Sequence, residues 1–322
     1  MARSVRKTVW YSWAGLLLPA ITVMFCCVNW MLPGLMGYRS RGSNVLDWGI
    51  GEEEKERRWE SMARRSVVTR RGVSMVVVSS TVDDEVTWGL LNLGCSMRPW
   101  KIMRFLMLTG PDMPRGTRLD FIRRNREWSI AQIYPPPGAE DALLVPFAVE
   151  ILGIRRLLSL GYHVLYTRSD AVWCEDLAER LADLSAHHPQ SDIFVMEAST
   201  PKFFFVRASD QALEIFDDAI KSFMYEMSHS SFVSYLCQDY SAENRTCLNY
   251  RENVYPLPTN EGWGNHLRDP ATEKNNTIQS CSSGYLSIAS GIDEDRKREI
   301  LKKVGAWYVT HHSCIDIPGS GP

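Results

Sequence analysis

One acidic residue, Asp170, follows a short apolar run near the middle of this 322-residue chain. The run, residues 162–166, is rich in β-forming side chains and predicts a buried strand. Side chains just past the carboxyl end of such a strand lie where open α/β sheets bind their ligands. A carboxylate at that edge offers hard oxygen atoms to a divalent cation such as Mg²⁺ or Mn²⁺. The alternative is a loop Asp that only caps the next turn.

A cationic residue, Arg168, stands two positions before Asp170. A guanidinium donates paired hydrogen bonds to phosphate oxygens, so Arg168 suits a phosphate-bearing ligand and would partly substitute for a metal ion. Alternatively, Arg168 forms an ion pair with Asp170 and abolishes metal binding there. The sequence leaves both alternatives open.

Two adjacent histidines, His311 and His312, follow a predicted strand at residues 306–310. Neighbouring side chains on a strand point to opposite faces, so at most one of the pair faces a cleft. Imidazole is an acceptable ligand for Mn²⁺. Surface histidines that bind nothing are the alternative.

The elements around these residues alternate between strands and helices. Helical spacing of apolar residues precedes Gly161, which tolerates the positive φ that ends a helix. Strands are predicted at residues 74–81, 104–108, 128–134, 192–196 and 202–207, and helices at 83–95, from 140 to Gly161, at 209–227 and at 293–304. This alternation predicts a largely parallel α/β sheet flanked by helices.

The central stretch also resembles a known family. A helix ending in Leu-x-Leu-Gly-Tyr, a strand, and then an Asp-x-Asp-x-x-Trp motif is matched in order by Leu158, Leu160, Gly161, Tyr162, Val164, Leu165, Asp170, Val172 and Trp173. This pattern is similar to that of the nucleotide-diphospho-sugar transferases of plants and algae, glycosyltransferase family 77. The resemblance implies a GT-A-like, Rossmann-type fold and a retaining type II Golgi enzyme. It departs from the family at Arg168, which replaces the first Asp of the motif.

The resemblance implies a metal site. In GT-A enzymes the second Asp of the motif and a His near the C-terminus commonly hold a divalent ion, which neutralises the diphosphate leaving group. Carried onto this chain, the ligands are Asp170 with His311 or His312, and the ion is Mn²⁺ or Mg²⁺. Asp170 and Arg168 would then both bind the nucleotide-sugar.

Three further residues are implied by the same resemblance. Ser80 and Thr81 follow the first predicted strand, where GT-A proteins contact the nucleoside. Asp239 lies in the region that supplies a catalytic group on the sugar face opposite the leaving group. A capping or surface role is the alternative for Asp239.

The N-terminus predicts a membrane anchor. A short basic tail, residues 1–7, precedes an uncharged span at residues 8–38, and a bilayer-crossing helix needs about 20 residues. A cleaved signal peptide is the alternative, but no small-residue cleavage site is found. The basic tail favours a cytoplasmic N-terminus. Residues 39–72 are rich in charged side chains, which predicts a stem. Residues 73–322 are predicted to form the lumenal domain.

Other features agree with a lumenal compartment. Asn244 and Asn275 begin N-glycosylation tripeptides. Six of the 8 cysteines lie outside the expected span and could pair in an oxidising compartment, with Cys237 and Cys247 as a local bridge, or stay as buried thiols. The sequence has no Cys-x-x-Cys pair, so it does not predict a structural zinc site. The net charge of −2 and the absence of a basic patch argue against nucleic-acid binding.

Together these features predict a membrane-anchored Golgi glycosyltransferase. Its partners would be a nucleotide-sugar donor and a glycan or glycoprotein acceptor. One alternative is a catalytically inactive pseudo-glycosyltransferase that acts as a binding or chaperone module, which the altered motif favours. Another is an anchored structural or adhesion protein without a central parallel sheet.

Overall fold

The computed structural model describes residues 52–81, 88–110, 127–134, 145–196, 203–226, 253–257, 263–267, 281, 284–288, 292–310 and 313–314. Within these ranges no helix combines the length and the apolar character needed to cross a bilayer. The predicted tail and anchor, residues 1–7 and 8–38, lie outside them.

Strands and helices are numbered here in chain order. The strands are β1 Val67–Arg70, β2 Val73–Thr81, β3 Leu106–Thr109, β4 Ser129–Gln132, β5 His163–Thr167, β6 Ala171–Trp173, β7 Ile193–Met196, β8 Phe203–Val206, β9 Val254–Leu257, β10 Gly264–Leu267, β11 Tyr285–Ile288, β12 Val309–Thr310 and β13 Ser313–Cys314. The helices are α1 Glu52–Arg65, α2 Trp88–Met97, α3 Val145–Ser159, α4 Leu177–His187, α5 Asp210–Glu226 and α6 Glu294–Lys303.

The main sheet has the strand order β4-β3-β2-β5-β8-β7-β9 across the described residues, and β1 pairs with β2. The pairs β4–β3, β3–β2, β2–β5 and β7–β9 are parallel. Strand β8 runs antiparallel to both β5 and β7, and β1 runs antiparallel to β2. The prediction of a mostly parallel sheet flanked by helices is therefore confirmed.

Successive residues of the central strands feed two hydrophobic layers. In β2, Val76 and Val78 pack with residues of α3 and α5, whereas Met75 and Val77 pack with residues of α2 and α4. The sheet is therefore covered on both faces, which is why its strands read as continuous apolar runs in the sequence.

The end of α3 sets the entry into β5. Gly161 has φ +80°, and its N–H donates to the carbonyl of Leu158 at 2.9 Å, while Tyr162 N–H donates to Leu157 at 3.1 Å. This is the left-handed helix termination predicted for Gly161, since only glycine adopts that φ without strain.

A smaller three-stranded sheet, β10-β11-β6, and the β12–β13 hairpin complete the described strands. Disulfides join Cys174 to Cys281 and Cys95 to Cys314, so one follows β6 and the other ties the C-terminal hairpin to α2. The suggested Cys237–Cys247 bridge lies outside the described residues.

The start of the folded part needs correction. The charge pattern predicts that the domain begins at residue 73, but α1 places Trp59 and Ala63 in the core, and β1 adds a strand to the sheet. Trp59 is 8% exposed and lies 5.3 Å below the guanidinium of Arg156. The charged residues at 52–58 hide this apolar face in the sequence, so part of the expected stem packs on the domain.

The packing of α1 yields a stability prediction. Replacing Trp59 with Ala should lower the free energy of unfolding by about 3 kcal/mol, because it empties a buried aromatic site. Urea unfolding measures the loss. Arg57→Ala, on the exposed face of the same helix, is the matched control and should change it by less than about 0.5 kcal/mol. Equal effects of the two substitutions would contradict the packing of α1.

The amino end of β5 yields a pH prediction. Burial lowers the pKa of the His163 imidazole below 6.5, and the positive charge of Arg207 lowers it further. The neutral ring accepts a hydrogen bond at Nδ1 from Ala208 N–H at 2.8 Å. The unfolded chain therefore binds the proton more readily, and stability should fall as pH drops below about 6.5. His163→Asn keeps an acceptor without titrating, so its urea midpoint should fall less between pH 7 and pH 5. An identical fall in both proteins would refute the assignment.

Candidate functional site

A tight turn after β5 brings two of the predicted site residues together. Strand β5 ends at Thr167, and Ala171 N–H donates to the carbonyl of Arg168 at 3.1 Å, which closes the turn before β6. As a result the Arg168 Nε lies 3.6 Å from an Asp170 carboxylate oxygen. The structure therefore contains the ion pair that the sequence offered as one of two alternatives.

The two members of this pair differ in their access to solvent. The Arg168 side chain is 46% exposed, whereas that of Asp170 is 17% exposed. Asp170 lies close to buried Tyr285 of β11: burial raises the pKa of the Tyr285 phenol, and the negative charge of Asp170 raises it further. The edge of the sheet therefore presents a cation to solvent, with the carboxylate behind it.

A second acidic residue, Glu150 of α3, lies near Arg168. Glu150 is buried beside the fully buried Tyr166, whose hydroxyl is 2.7 Å from that of Ser80. Burial raises the pKa of Tyr166 far above its usual value, and the charge of Glu150 adds to the shift. The Tyr166 ring stacks on Phe204 at 4.7 Å, which fixes this end of β5.

The surroundings of Arg168 keep it charged. Burial lowers the pKa of its guanidinium, but Asp170, Tyr166 and Glu150 raise it by more, and the net change is upward. Tyr166 belongs to the layer with α3, and Tyr285 to the layer with α2. Arg168 thus lies within reach of the charges of two carboxylates, one near Tyr166 and one near Tyr285.

The structure places the other predicted residues as follows. Ser80 and Thr81 are the last two residues of β2, next to β5 in the sheet. Ser80 is part of the Tyr166 contact, and Thr81 is buried. The catalytic candidate Asp239, the metal candidates His311 and His312, and the glycosylation candidates Asn244 and Asn275 lie outside the described residues.

The described residues alone do not fit a divalent ion. Among them no group of three or more His, Cys, Asp or Glu residues is arranged to hold a metal. Asp170 is the predicted ligand that falls within them, and an ion bound to it would stand beside Arg168. Two like unit charges 4 Å apart repel by about 4 kcal/mol near a protein surface, and a divalent ion doubles that. A Mn²⁺ site completed by His311 or His312 stays a prediction.

Sequence reasoning missed the buried members of this site. Glu150 carried a signal, since it is the acidic residue within the otherwise uncharged helical stretch 145–154. Such residues are rarely buried without a partner. Tyr166 and Tyr285 offered no such signal in the sequence, because buried tyrosines are common in strands.

Comparison with known sequences adds a family match. The model described as nucleotide-diphospho-sugar transferase matches residues 149–278, from the residue before Glu150 through the Arg168–Asp170 turn and beyond β10. No curated protein matches the chain.

Solved glycosyltransferase structures match this chain at low sequence identity and low TM-score. A glycosyltransferase involved in the glycosylation of the major capsid of PBCV-1 has 10% identity and a TM-score of 0.40, covering 70% of this chain and 98% of its own. Mouse xyloside xylosyltransferase 1 has 6% identity and a TM-score of 0.37, and the match covers 60% of this chain and 87% of the mouse protein. The bifunctional glycosyltransferase WbbM has 10% identity and a TM-score of 0.41, covering 70% and 49%.

The sequence match falls on the same strand, turn and Trp from which the resemblance was drawn. The likeness of this chain to the nucleotide-diphospho-sugar transferase family is thereby confirmed over residues 149–278.

Proposed function

We propose that this chain is a glycosyltransferase that moves a sugar from a nucleotide-diphosphate donor to a hydroxyl of a glycan or glycoprotein. One observation carries the proposal: the half-exposed guanidinium of Arg168 stands at the carboxyl edge of the sheet, within the segment that matches the family. That edge is where open α/β sheets bind nucleotides.

The reaction needs positive charge at the diphosphate. The bond between the anomeric carbon and the diphosphate oxygen breaks, the acceptor oxygen bonds to that carbon, and the proton of the acceptor hydroxyl passes to the departing diphosphate. Negative charge grows on the departing diphosphate, and a fixed cation stabilises it. The chain offers two sources: Arg168, and a divalent ion on Asp170 completed by His311 or His312. Retention of configuration, with Asp239 on the opposite sugar face, is proposed from the family resemblance.

The setting we propose is the Golgi membrane, with a single type II anchor at residues 8–38 and a lumenal catalytic domain. The two disulfides support an oxidising compartment, since such bonds are rare in the cytosol. The tripeptides at Asn244 and Asn275 agree with this setting.

A second candidate is a catalytically inactive binding module. The ion pair between Arg168 and Asp170 favours it, because the carboxylate that would hold the metal faces a guanidinium instead. Such a module would bind a nucleoside diphosphate but turn over no donor.

Turnover separates the two candidates. The purified chain is incubated with a panel of sugar nucleotides, with Mn²⁺ and with EDTA, and released nucleoside diphosphate is measured. Turnover of at least one donor is expected, and Arg168→Ala should lower kcat/KM by about 10- to 100-fold, the value of a charge-assisted hydrogen bond. Asp217→Asn is the matched control. It removes the carboxylate that lies 2.8 Å from the Arg155 Nε, an ion pair on the part of α3 away from Arg168, and it should leave kcat/KM unchanged. Binding without turnover would leave the inactive module.

Lumenal orientation has its own test. Expressed in a cell that glycosylates, the chain should migrate faster on gels after endoglycosidase treatment. Asn244→Gln and Asn275→Gln should each remove part of that shift. A wild-type chain with unchanged mobility after treatment would contradict the lumenal placement.

A further inference from the structure

We infer that Arg168 itself provides the cation for the donor's diphosphate, and that nucleotide binding at this edge does not require a divalent ion. The inference rests on the proposed function and deepens it. It departs from the metal site that the family resemblance implies, in which Asp170 would hold Mn²⁺.

Arg168 is more accessible than Asp170 to an incoming diphosphate. An anion that approaches the carboxyl edge of β5 meets the Arg168 side chain, which is 46% exposed, before that of Asp170, which is 17% exposed. A carboxylate that binds a metal has to present its oxygens to the ion, and the ion in turn has to face the substrate. One carboxylate oxygen of Asp170 instead lies 3.6 Å from the Arg168 Nε, so an ion bound to that oxygen would stand beside the guanidinium.

The geometry of the Arg168 guanidinium lets it contact Asp170 and a phosphate group at the same time. Asp170 approaches Arg168 at Nε, the nitrogen closest to the main chain. The two terminal Nη groups form the fork that binds two phosphate oxygens side by side. A single Arg can therefore keep its contact with Asp170 and bind a diphosphate.

Arg168 is also preorganised for this role. The turn closed by Ala171 N–H fixes the backbone of Arg168, and the negative charges of Asp170 and Glu150 lie near its guanidinium. The side chain is thus held at the edge before any ligand arrives, which lowers the entropy that binding would otherwise cost. Arg168 stays protonated throughout the reaction, so it stabilises charge on the leaving group and transfers no proton.

Arg168 and a divalent ion would compete for the carboxylate of Asp170. A divalent ion on this carboxylate would have to displace Arg168 or stand beside it, and like charges at that separation repel. The described residues supply no group of three ligands that would compensate for the repulsion.

Calorimetric titration of the purified full chain with UDP, GDP, CDP and ADP tests the inference, once in EDTA and once in Mn²⁺. For the nucleotide that binds, the wild-type Kd should differ by less than about threefold between the two conditions. Arg168→Ala should weaken binding by about tenfold or more in both, and Arg168→Lys by less, because it keeps the charge but loses the fork. Asp217→Asn should leave both Kd values unchanged, and unfolding midpoints check that every variant is folded.

Arg168→Asp is the decisive variant, because it restores the Asp-x-Asp pattern of the family at this turn. Its nucleotide binding should be lost in EDTA and recovered in Mn²⁺. Wild-type binding that requires Mn²⁺ and survives Arg168→Ala would overturn the inference but leave the proposed function standing. Failure of a folded wild-type chain to bind any of the four nucleotides in either condition would overturn the proposed function, and the inference with it.

Discussion

The ion pair between Arg168 and Asp170 sets the charge that the carboxyl edge of β5 presents to solvent. Its two groups are only two residues apart, yet the turn after β5 separates their exposure, so that the guanidinium faces solvent and the carboxylate lies behind it. Without that turn, both side chains would extend from a continuing strand on the same face. The electrostatic character of the edge is thus a consequence of where β5 ends.

The rest of the fold holds that turn in place. Strand β5 lies between β2 and β8 in the main sheet, and Tyr166 anchors its end through the Ser80 contact and the stacked Phe204 ring. On the other side of the turn, β6 leaves the main sheet and pairs with β11. Trp173 N–H donates to Ser96 Oγ at 3.0 Å, and the Cys174–Cys281 disulfide follows immediately. The turn is therefore fixed at both ends by buried contacts, which suits a site that must offer charge in one position.

Much of the main sheet could be predicted from sequence, because its strands are buried on both faces and stand out as short apolar runs. Strands β2, β4, β5, β7 and β8 and the end of α3 at Gly161 fall where the sequence placed them. The antiparallel direction of β8 and the pairing of β6 with β11 were beyond reach, since strand direction and long-range partners have no local signal. Helix α1 was misread because its charged residues outnumber the few that reach the core.

The site was predictable in position but not in geometry. Spacing showed that Arg168 and Asp170 share a loop after a strand, while their ion pair depends on a turn and on side-chain orientations that spacing does not determine. Glu150 was overlooked because its role depends on α3 packing over the end of β5, which is a tertiary contact.

Charge balance at this edge explains how the altered motif could remain functional. An Asp-x-Asp pair carries two negative charges, and a divalent ion cancels them before a donor with about two negative charges on its diphosphate binds. In this chain the positive charge of Arg168 already cancels the negative charge of Asp170. Arg168 and Asp170 by themselves therefore reach the same net charge as an Asp-x-Asp pair with its ion, and an added divalent ion would leave this turn positive even beside the negative charge of Glu150. We therefore propose that the replacement of the first Asp by Arg removes both the need for the metal and the attraction that would retain it.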